Sequence, residues 1–164
     1  MSIQALPRLK CHVVALASLA LLGLLLFTQL PATGDVVSPA QVQISNSGVR
    51  GGFIVQIGCG EGHQLQELYG DGRYQVHGLD TAAAKVDRAR KSVQQKGLYG
   101  DISADTFDGR QLPYIDNLVN IVYADDLGDV AMKEVIRVLA PGGVAIIQQE
   151  GQWTHTVKPR PDNI

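Results

Sequence analysis

A glycine-rich loop between an apolar segment and an amphipathic one is the feature that most constrains the fold of this 164-residue chain. Gly58, Gly60 and Gly62 alternate with other residues after a strand-like segment and directly before a helical one. Because glycine has no Cβ atom, such a loop can adopt unusual dihedral angles and let its backbone approach a ligand closely. Two interpretations follow: a ligand-binding loop, or a tight strand-to-helix turn that binds nothing.

Strand-like and helical segments alternate along most of the chain after residue 50. Alternation of this kind is typical of parallel sheets with helical crossovers. We therefore expect an α/β domain with a Rossmann-like, doubly wound and mostly parallel five-stranded sheet in the order 3-2-1-4-5. The predicted strands are Phe53–Ile57, Tyr74–Leu79, Asp101–Ala104, Leu118–Ala124 and Val144–Gln149, and the predicted helices are Pro39–Asn46, His63–Tyr69, Ala82–Lys96 and Met132–Leu139.

An almost purely apolar run, Val13 to Phe27, stands apart from this pattern. Basic residues precede it and the break Pro31 to Gly34 follows it, which is the layout of an export signal cleaved after Gly34. The alternative is an uncleaved anchor in the inner membrane over residues 13–30, because about 20 apolar residues cross a bilayer. Both interpretations predict that the remainder is exported to the periplasm or another extracytoplasmic compartment.

The chain is accordingly divided into four parts. Residues 1–34 are a signal peptide or membrane anchor, residues 35–50 a lead-in helix and linker, residues 51–150 the α/β domain, and residues 151–164 a linker tail. The net charge of −2 provides no basic field, so nucleic acid is not expected as a partner. Membrane contact is expected only through the apolar leader. No metal site is predicted, since the histidines lack a third ligand at a useful spacing.

An acidic residue, Asp80, closes the second predicted strand and lies 20 residues after Gly60. A carboxylate at this place can accept hydrogen bonds from both hydroxyls of a ribose. We therefore expect a nucleoside-bearing ligand. The nicotinamide dinucleotide fingerprint needs its third glycine three residues after the second, where this chain has His63, so that function is the less favoured one.

Further motifs resemble those of the class I S-adenosylmethionine-dependent methyltransferases, of the type 11 and type 12 kinds. The resemblance runs from Gly51 to about Glu150, and its motifs are Gly-x-Gly-x-Gly, Asp80, Ser103-Ala104-Asp105, Leu112-Pro113-Tyr114 and the stretch from Glu134 to Gly143. It implies S-adenosylmethionine as cofactor and methyl transfer to an unknown acceptor. It also implies that the sheet is truncated before the family's usual last two strands.

The resemblance also implies a set of site residues. The glycines would lie near the methionine part of the cofactor, Asp80 on the ribose and Asp105 beside the adenine. The expected cofactor-binding residues are Gln56, Gly58, Cys59, Gly60, Gly62, Asp80, Thr81, Asp105 and Ala124. The carboxylates of Asp125 and Asp126, just after the fourth strand, are candidates for a general base, although adjacent acids there can instead cap the next helix.

Two positions depart from the family pattern, since Gln56 and Asn120 stand where acidic residues are common. Both changes remove a charge near the expected cofactor, and a charged hydrogen bond contributes about 1.5 to 3 kcal/mol. An exported domain also has no evident supply of S-adenosylmethionine. These observations keep open a noncatalytic ligand-binding or scaffolding module as the alternative function.

Segments including Trp153 to Pro161 resemble bacterial exported proteins in which a methyltransferase-like domain precedes a pyrroloquinoline-quinone-type β-propeller. The resemblance implies a propeller domain as a partner in a longer chain. With a linker after the fifth strand, that strand is expected to be an exposed edge, which favours a fragment or a covering partner.

Overall fold

The computed structural model of the protein describes residues 37–161. The predicted leader, with its candidate anchor at residues 13–30, lies outside the described residues. Within residues 37–161, no helix combines the length and the apolar character needed to cross a membrane.

The described residues form a six-stranded sheet with the order β3-β2-β1-β4-β5-β6. Strands β1 to β5 run parallel, and β6 runs antiparallel to β5. The predicted class and the order 3-2-1-4-5 are confirmed, with one further strand beside β5. In chain order the elements are α1 (Pro39–Asn46), β1 (Gly52–Ile57), α2 (His63–Tyr69), β2 (Tyr74–Asp80), α3 (Ala83–Gln95), β3 (Ile102–Thr106), β4 (Val119–Ala124), α4 (Met132–Val138), β5 (Leu139–Gln149) and β6 (Gln152–Val157).

The two faces of the sheet are covered differently. Helices α1, α2 and α3 pack on one face through a cluster that includes Ile44, Leu65 and Val93. On the other face, α4 and the irregular segment 107–118 cover β1, β4 and β5. Strand β3 alternates buried and exposed residues over Ile102 to Asp105, and Ser103 is among the exposed ones. The face of β3 that carries Ser103 is therefore open to solvent and needs no covering helix.

Two strand boundaries differ from the prediction in ways that affect the rest of the molecule. Strand β3 runs on to Thr106, two residues past the predicted end. Strand β5 begins at Leu139, directly after α4 and before the predicted start at Val144. Its pairing with β4 is interrupted after Leu139 and resumes at Val144, and Gly142 within this interruption has a φ of 81°. The backbone of Lys158 holds the glycine pair there, because its carbonyl accepts from the N–H of Gly142 and its N–H donates to the carbonyl of Gly143.

The predicted linker tail is also wrong, because residues 152–157 form β6 and cover the edge of β5. Glu150 and Gly151 have φ values of 50° and 79°, as a two-residue hairpin turn of type I′ requires. Trp153 then packs on Tyr123, with ring centroids 4.8 Å apart. The proline-rich residues that indicated a linker begin only after this strand ends.

Candidate functional site

The glycine loop lies at the carboxyl end of β1 and is fastened to the neighbouring strand. The backbone N–H groups of Gly58 and Cys59 both donate to the carbonyl of Leu79, at 2.8 and 3.1 Å. Gly58 and Gly60 have φ values of 78° and 53°, and no atom lies within 4 Å of where a Cβ would stand at either position. The loop therefore presents bare backbone to open space, as a ligand cradle requires.

The third glycine has a structural role. A Cβ at Gly62 would lie 2.9 Å from the Cα atom of Ala89, which is buried in α3. Gly62 directly precedes α2 and adopts a φ of 85°. Its absent side chain therefore lets the start of α2 approach α3, which fixes the loop relative to the sheet.

Asp80 is held at the end of β2 with only 4% of its surface exposed. Its Oδ1 accepts a hydrogen bond from the N–H of Ala82 at 3.0 Å, and its Oδ2 accepts from the N–H of Gly60 at 3.4 Å. The ammonium of Lys85 lies 3.8 Å from Oδ2. These contacts fix the carboxylate beside the glycine loop, as the predicted spacing between the two motifs requires.

A cavity of about 480 Å³ opens in front of this carboxylate, at the carboxyl ends of the parallel strands. Doubly wound sheets bind ligands at this end, and the volume suits a small molecule. Four predicted site residues line it: Gly58, Asp80, Thr81 and Asp126. The other lining residues are Ile57, Lys85, Phe107, Asp108, Gly109, Leu127, Gly128 and Asp129.

Asp105, predicted beside the adenine, does not line the cavity. Because β3 extends to Thr106, Asp105 lies within the strand, where its exposed carboxylate accepts a hydrogen bond from Arg90 of α3 at 2.9 Å. Asp108, which sequence analysis missed, takes the place on the cavity wall. The backbone N–H groups of Arg110 and Gln111 donate to its Oδ1 and lower the pKa of this carboxyl below its ordinary value. The signal was present, since Asp108 follows the strand and shortly precedes the Leu-Pro-Tyr motif.

Gln56 is part of a polar network beneath the loop. Only 1% of its surface is exposed, and its Nε2 donates to the side-chain oxygen of Gln64 and to the carbonyl of Gly58. Gln64 in turn donates to the hydroxyl of Tyr123 at 3.5 Å and to Asp125 at 3.4 Å. The Oε1 atom of Gln56 is buried without a hydrogen-bond partner among the described residues.

The adjacent acids after β4 do not cap the next helix, because α4 begins only at Met132 and its N-cap is Ala131. Asp126 lines the cavity and its Oδ1 accepts from the N–H of Gly128 at 2.9 Å, which closes a local turn. Asp125 lies outside the cavity and contacts Gln64.

Two further predicted residues, Ala124 and Cys59, are buried in the core and do not line the cavity. Burial, and then the nearby charge of Asp80, raise the pKa of the Cys59 thiol to about 11, so it is not a nucleophile at neutral pH.

Asn120 does not lie near the cavity, contrary to the prediction. Its Oδ1 accepts a hydrogen bond from the N–H of Phe53 at 2.9 Å, and a Cβ at Gly52 would clash with the same atom. These partners start β1, so Asn120 fastens β4 to β1 at the end of the sheet opposite the loop. Its difference from the family pattern therefore removes no charge from the cavity.

A doubly wound parallel sheet, with an open glycine loop and a strand-end carboxylate framing a cavity, defines a Rossmann-like domain of the nucleoside-binding class. The sequence pattern of the methyltransferase domain family matches residues 54–143, which span the loop, the carboxylate and the first part of β5. The chain belongs to this family.

Curated relatives share the same region. Sterol 24-C-methyltransferase erg6 of Aspergillus fumigatus is 32% identical over 105 residues, which cover 59% of this chain and 28% of that protein. Dimethylglycine N-methyltransferase of Parasynechococcus marenigrum is 31% identical over 100 residues, which cover 57% of this chain and 36% of that protein. This chain matches only about a third of the length of such relatives.

Solved structures show the same fold. The [4+2]-cyclase SpnF superimposes with a TM-score of 0.60 at 24% identity, covering 66% of this chain and 42% of that one. Geranyl diphosphate C-methyltransferase of Streptomyces coelicolor, solved with S-adenosyl-L-homocysteine, gives a TM-score of 0.59 at 20% identity, covering 66% and 42%.

Proposed function

We propose that this domain binds S-adenosylmethionine in the cavity beside the glycine loop and transfers its methyl group to an acceptor. Membership of the methyltransferase domain family supports the proposal. The observation that carries it is the buried Asp80 carboxylate, which the loop holds on the wall of a cavity of about 480 Å³.

The residues present fit this cofactor. The open backbone at Gly58 and Gly60, with the unpartnered Oε1 of Gln56 beneath it, would hold the amino-acid part. Asp80 would accept the ribose hydroxyls. Phe107 and Asp108 would contact the adenine, a role that passes to Asp108 because Asp105 is paired with Arg90.

When bound, the sulfonium supplies an electrophilic methyl group that needs no further activation. The task left to the chain is to hold the acceptor in line and to exclude water. Asp126, on the cavity wall after β4, is placed to take a proton from an acceptor that arrives protonated.

The charge of the cavity disfavours the nicotinamide dinucleotide alternative. Four carboxylates line it, from Asp80, Asp108, Asp126 and Asp129, against the single ammonium of Lys85. A pyrophosphate group would meet like charges there, whereas a sulfonium cation would be attracted. We therefore expect selection for an adenosyl compound without phosphate.

Calorimetry tests the proposal directly. Titration of the full chain with S-adenosylmethionine, its demethylated product and a nicotinamide dinucleotide should give saturable heat for the first two only. No heat and no thermal shift at millimolar S-adenosylmethionine would contradict cofactor binding. Binding of the dinucleotide alone would contradict the proposal and favour a nicotinamide dinucleotide-binding protein.

A noncatalytic ligand-binding or scaffolding module is the second candidate, and Gln56 favours it. The family position that commonly carries a carboxylate has here a neutral amide, so this position beneath the loop adds no negative charge to those of the cavity wall. The resemblance to exported proteins that carry a propeller supports the same candidate. Saturable binding without methyl transfer to any acceptor in a lysate of the source cell would favour the module over the enzyme.

We also propose that the chain is exported through its apolar leader. The support is in the sequence, where basic residues precede the run from Val13 to Phe27 and the break from Pro31 to Gly34 follows it. Cell fractionation with mass determination tests this proposal. A product that begins at Asp35 in the extracytoplasmic fraction is expected for cleavage, and a membrane-bound full-length chain for the anchor. A full-length product confined to the cytosol would contradict both.

A further inference from the structure

We propose that Lys85 is a ribose-binding residue, and that its ammonium and the carboxylate of Asp80 hold one hydroxyl of the cofactor between them. Both side chains line the cavity of about 480 Å³. The inference rests on the proposed function, because the hydroxyl belongs to the adenosyl group of that cofactor. It adds a residue that determines specificity to the glycine loop and Asp80.

The start of α3 fixes Lys85 close to the end of β2. Helix α3 begins at Ala83, three residues after Asp80, and the N–H of Lys85 donates to the carbonyl of Ala82 at 2.9 Å. The N–H of Ala82 donates in turn to Oδ1 of Asp80 at 3.0 Å. Two hydrogen bonds through one residue therefore hold the backbone of Lys85 beside the carboxylate.

The distance between the two charged groups leaves room for a ligand atom. The Nζ atom of Lys85 lies 3.8 Å from Oδ2 of Asp80, which is too long for a direct hydrogen bond. Oδ2 accepts from the N–H of Gly60 at 3.4 Å, and a carboxylate oxygen has a second lone pair. An oxygen atom about 2.8 Å from each group can bridge such a gap. The pair is thus spaced for one bridging hydroxyl.

The chemistry of the two groups selects a hydroxyl. An ammonium only donates hydrogen bonds, and an ionised carboxylate only accepts them. A hydroxyl does both, so it can donate to Asp80 and accept from Lys85 at the same time. A phosphate would be attracted by Lys85 and repelled by Asp80, and an amine cation would meet the opposite combination. A ribose hydroxyl of an adenosyl compound satisfies both partners.

The surroundings of Lys85 do not support a purely stabilising role. Its side chain is 51% exposed, and ion pairs with an exposed partner contribute little to folding. Two other cations of α3 have partners outside the cavity, since Arg88 meets Glu61 at 3.2 Å and Arg90 meets Asp105 at 2.9 Å. Lys85 instead lines a cavity proposed to take a sulfonium cation, which its ammonium would repel. A hydrogen bond to the ribose would offset this repulsion.

Calorimetry of the full chain with the demethylated product S-adenosylhomocysteine tests the proposal, because this ligand carries no sulfonium charge. Lys85→Met keeps a long side chain and removes its ammonium. Lys91→Met removes an exposed cation of the same helix outside the cavity. We expect about three- to ten-fold weaker binding for Lys85→Met, and an affinity within about two-fold of the native chain for Lys91→Met. Both positions are exposed, so both variants should fold.

The 2′-deoxy and 3′-deoxy forms of the same ligand show whether Lys85 acts through a hydroxyl. For one of these two forms, the native chain and Lys85→Met should bind equally well, because the bridging hydroxyl is missing from both complexes. The other form should keep the full difference. An equal loss with all three ligands, or no loss with S-adenosylhomocysteine, would overturn the inference and leave the proposed function in place. A native chain that binds none of the three would overturn both.

NMR of the native chain provides a measurement that does not depend on a variant. The side-chain signals next to the ammonium of Lys85 should shift when S-adenosylhomocysteine binds, and those of Lys91 should not. Signals of Lys85 that stay unmoved at saturation would overturn the inference.

Discussion

At the residue scale, the proposed ligand contact of the glycine loop can be separated experimentally from the strain of its backbone. Gly60→Ala places a Cβ in open space at a φ of 53°, and a left-handed conformation at a non-glycine residue costs about 1 to 2 kcal/mol. Gly97, at the end of α3, has a φ of 70° and equally open surroundings. We expect urea denaturation to show a similar loss of stability for Gly60→Ala and Gly97→Ala.

Cofactor binding should distinguish these two variants. The Cβ of Gly60→Ala projects into the space where the backbone of the loop is proposed to contact the cofactor, whereas Gly97 lies away from the cavity. Calorimetry should therefore show weaker S-adenosylmethionine binding for Gly60→Ala and unchanged binding for Gly97→Ala. Equal affinities in both variants would count against the loop as a cradle.

The two aspartates of β2 and β3 provide a matched comparison. Asp80→Ala removes the buried carboxylate beside the loop, and the loss of charge-assisted hydrogen bonds should weaken S-adenosylmethionine binding by about ten-fold or more. Asp105→Ala removes an exposed carboxylate that binds Arg90 outside the cavity, and should change affinity by less than about two-fold. The reverse order of effects would restore the original sequence-based assignment of Asp105.

Replacing Gln56 by glutamate, the kind of residue common at this position in the family, should destabilise the protein. The Nε2 of Gln56 donates to two acceptors, the carbonyl of Gly58 and the side-chain oxygen of Gln64. A buried glutamate has no N–H to donate, and its oxygen atoms would lie against these two acceptor oxygens. Gln56→Glu should therefore lower the free energy of unfolding by about 1 to 3 kcal/mol at neutral pH. The double variant Gln56→Glu/Gln64→Lys is the control that offers a donor, and it should recover stability. Undiminished stability of the single variant, measured by urea denaturation, would refute this account of the network.

At the element scale, the connection between β3 and β4 contains no helix and is held by ion pairs and hydrogen bonds to α4. Arg137 of α4 donates to the carbonyls of Leu112 and Tyr114, and to the carboxylates of Asp116 and Glu134. Glu134 also accepts from the N–H of Leu112 at 2.9 Å. The irregular segment 107–118, which carries the cavity residues Phe107, Asp108 and Gly109, is thereby fastened to α4.

The stability of this network should depend on pH. The side-chain bonds from Arg137, with the N–H of Leu112, lower the pKa of Glu134 below its ordinary value. A lowered pKa contributes stability that is fully present above the unfolded value, about 4.3, and is lost as pH falls through the folded value. Glu134→Gln should cost about 1 to 3 kcal/mol at neutral pH, and its difference from the native chain should shrink toward pH 3. A difference that stays constant from about pH 7 to about pH 3 would contradict the assignment.

The elements that could be predicted from sequence are those with a local signal. α1 begins where Ser38 accepts from the N–H of Gln41, and its predicted bounds are those observed. β6 escaped prediction because its packing depends on the contact of Trp153 with Tyr123 from a distant strand, which no local pattern contains. Prolines after the strand suggested a linker, although tertiary packing decides the conformation before them.

At the scale of the whole molecule, the class of fold and the order of the parallel strands follow from alternation and from the glycine loop. The predicted neighbourhood of the glycine loop and Asp80 is present, because backbone hydrogen bonds place the loop beside the end of β2. Asp105 lies elsewhere than expected, since β3 extends two residues further, Asp105 pairs with Arg90, and Asp108 lines the cavity. The roles of these residues toward a cofactor stay predictions. Asn120 was misplaced for a different reason, because it lies near the amino end of β4, and the amino ends of parallel strands meet at the edge of the sheet opposite the ligand-binding one.

The central claim is that the open glycine loop and Asp80 together hold an adenosyl compound. An amide-resolved NMR titration of the full chain with S-adenosylmethionine tests this claim most directly. The account predicts saturable shifts at Gly58, Gly60, Thr81 and Gly109, with the amides of β6 unchanged. Saturable binding that leaves the loop amides unmoved and shifts residues elsewhere would contradict it.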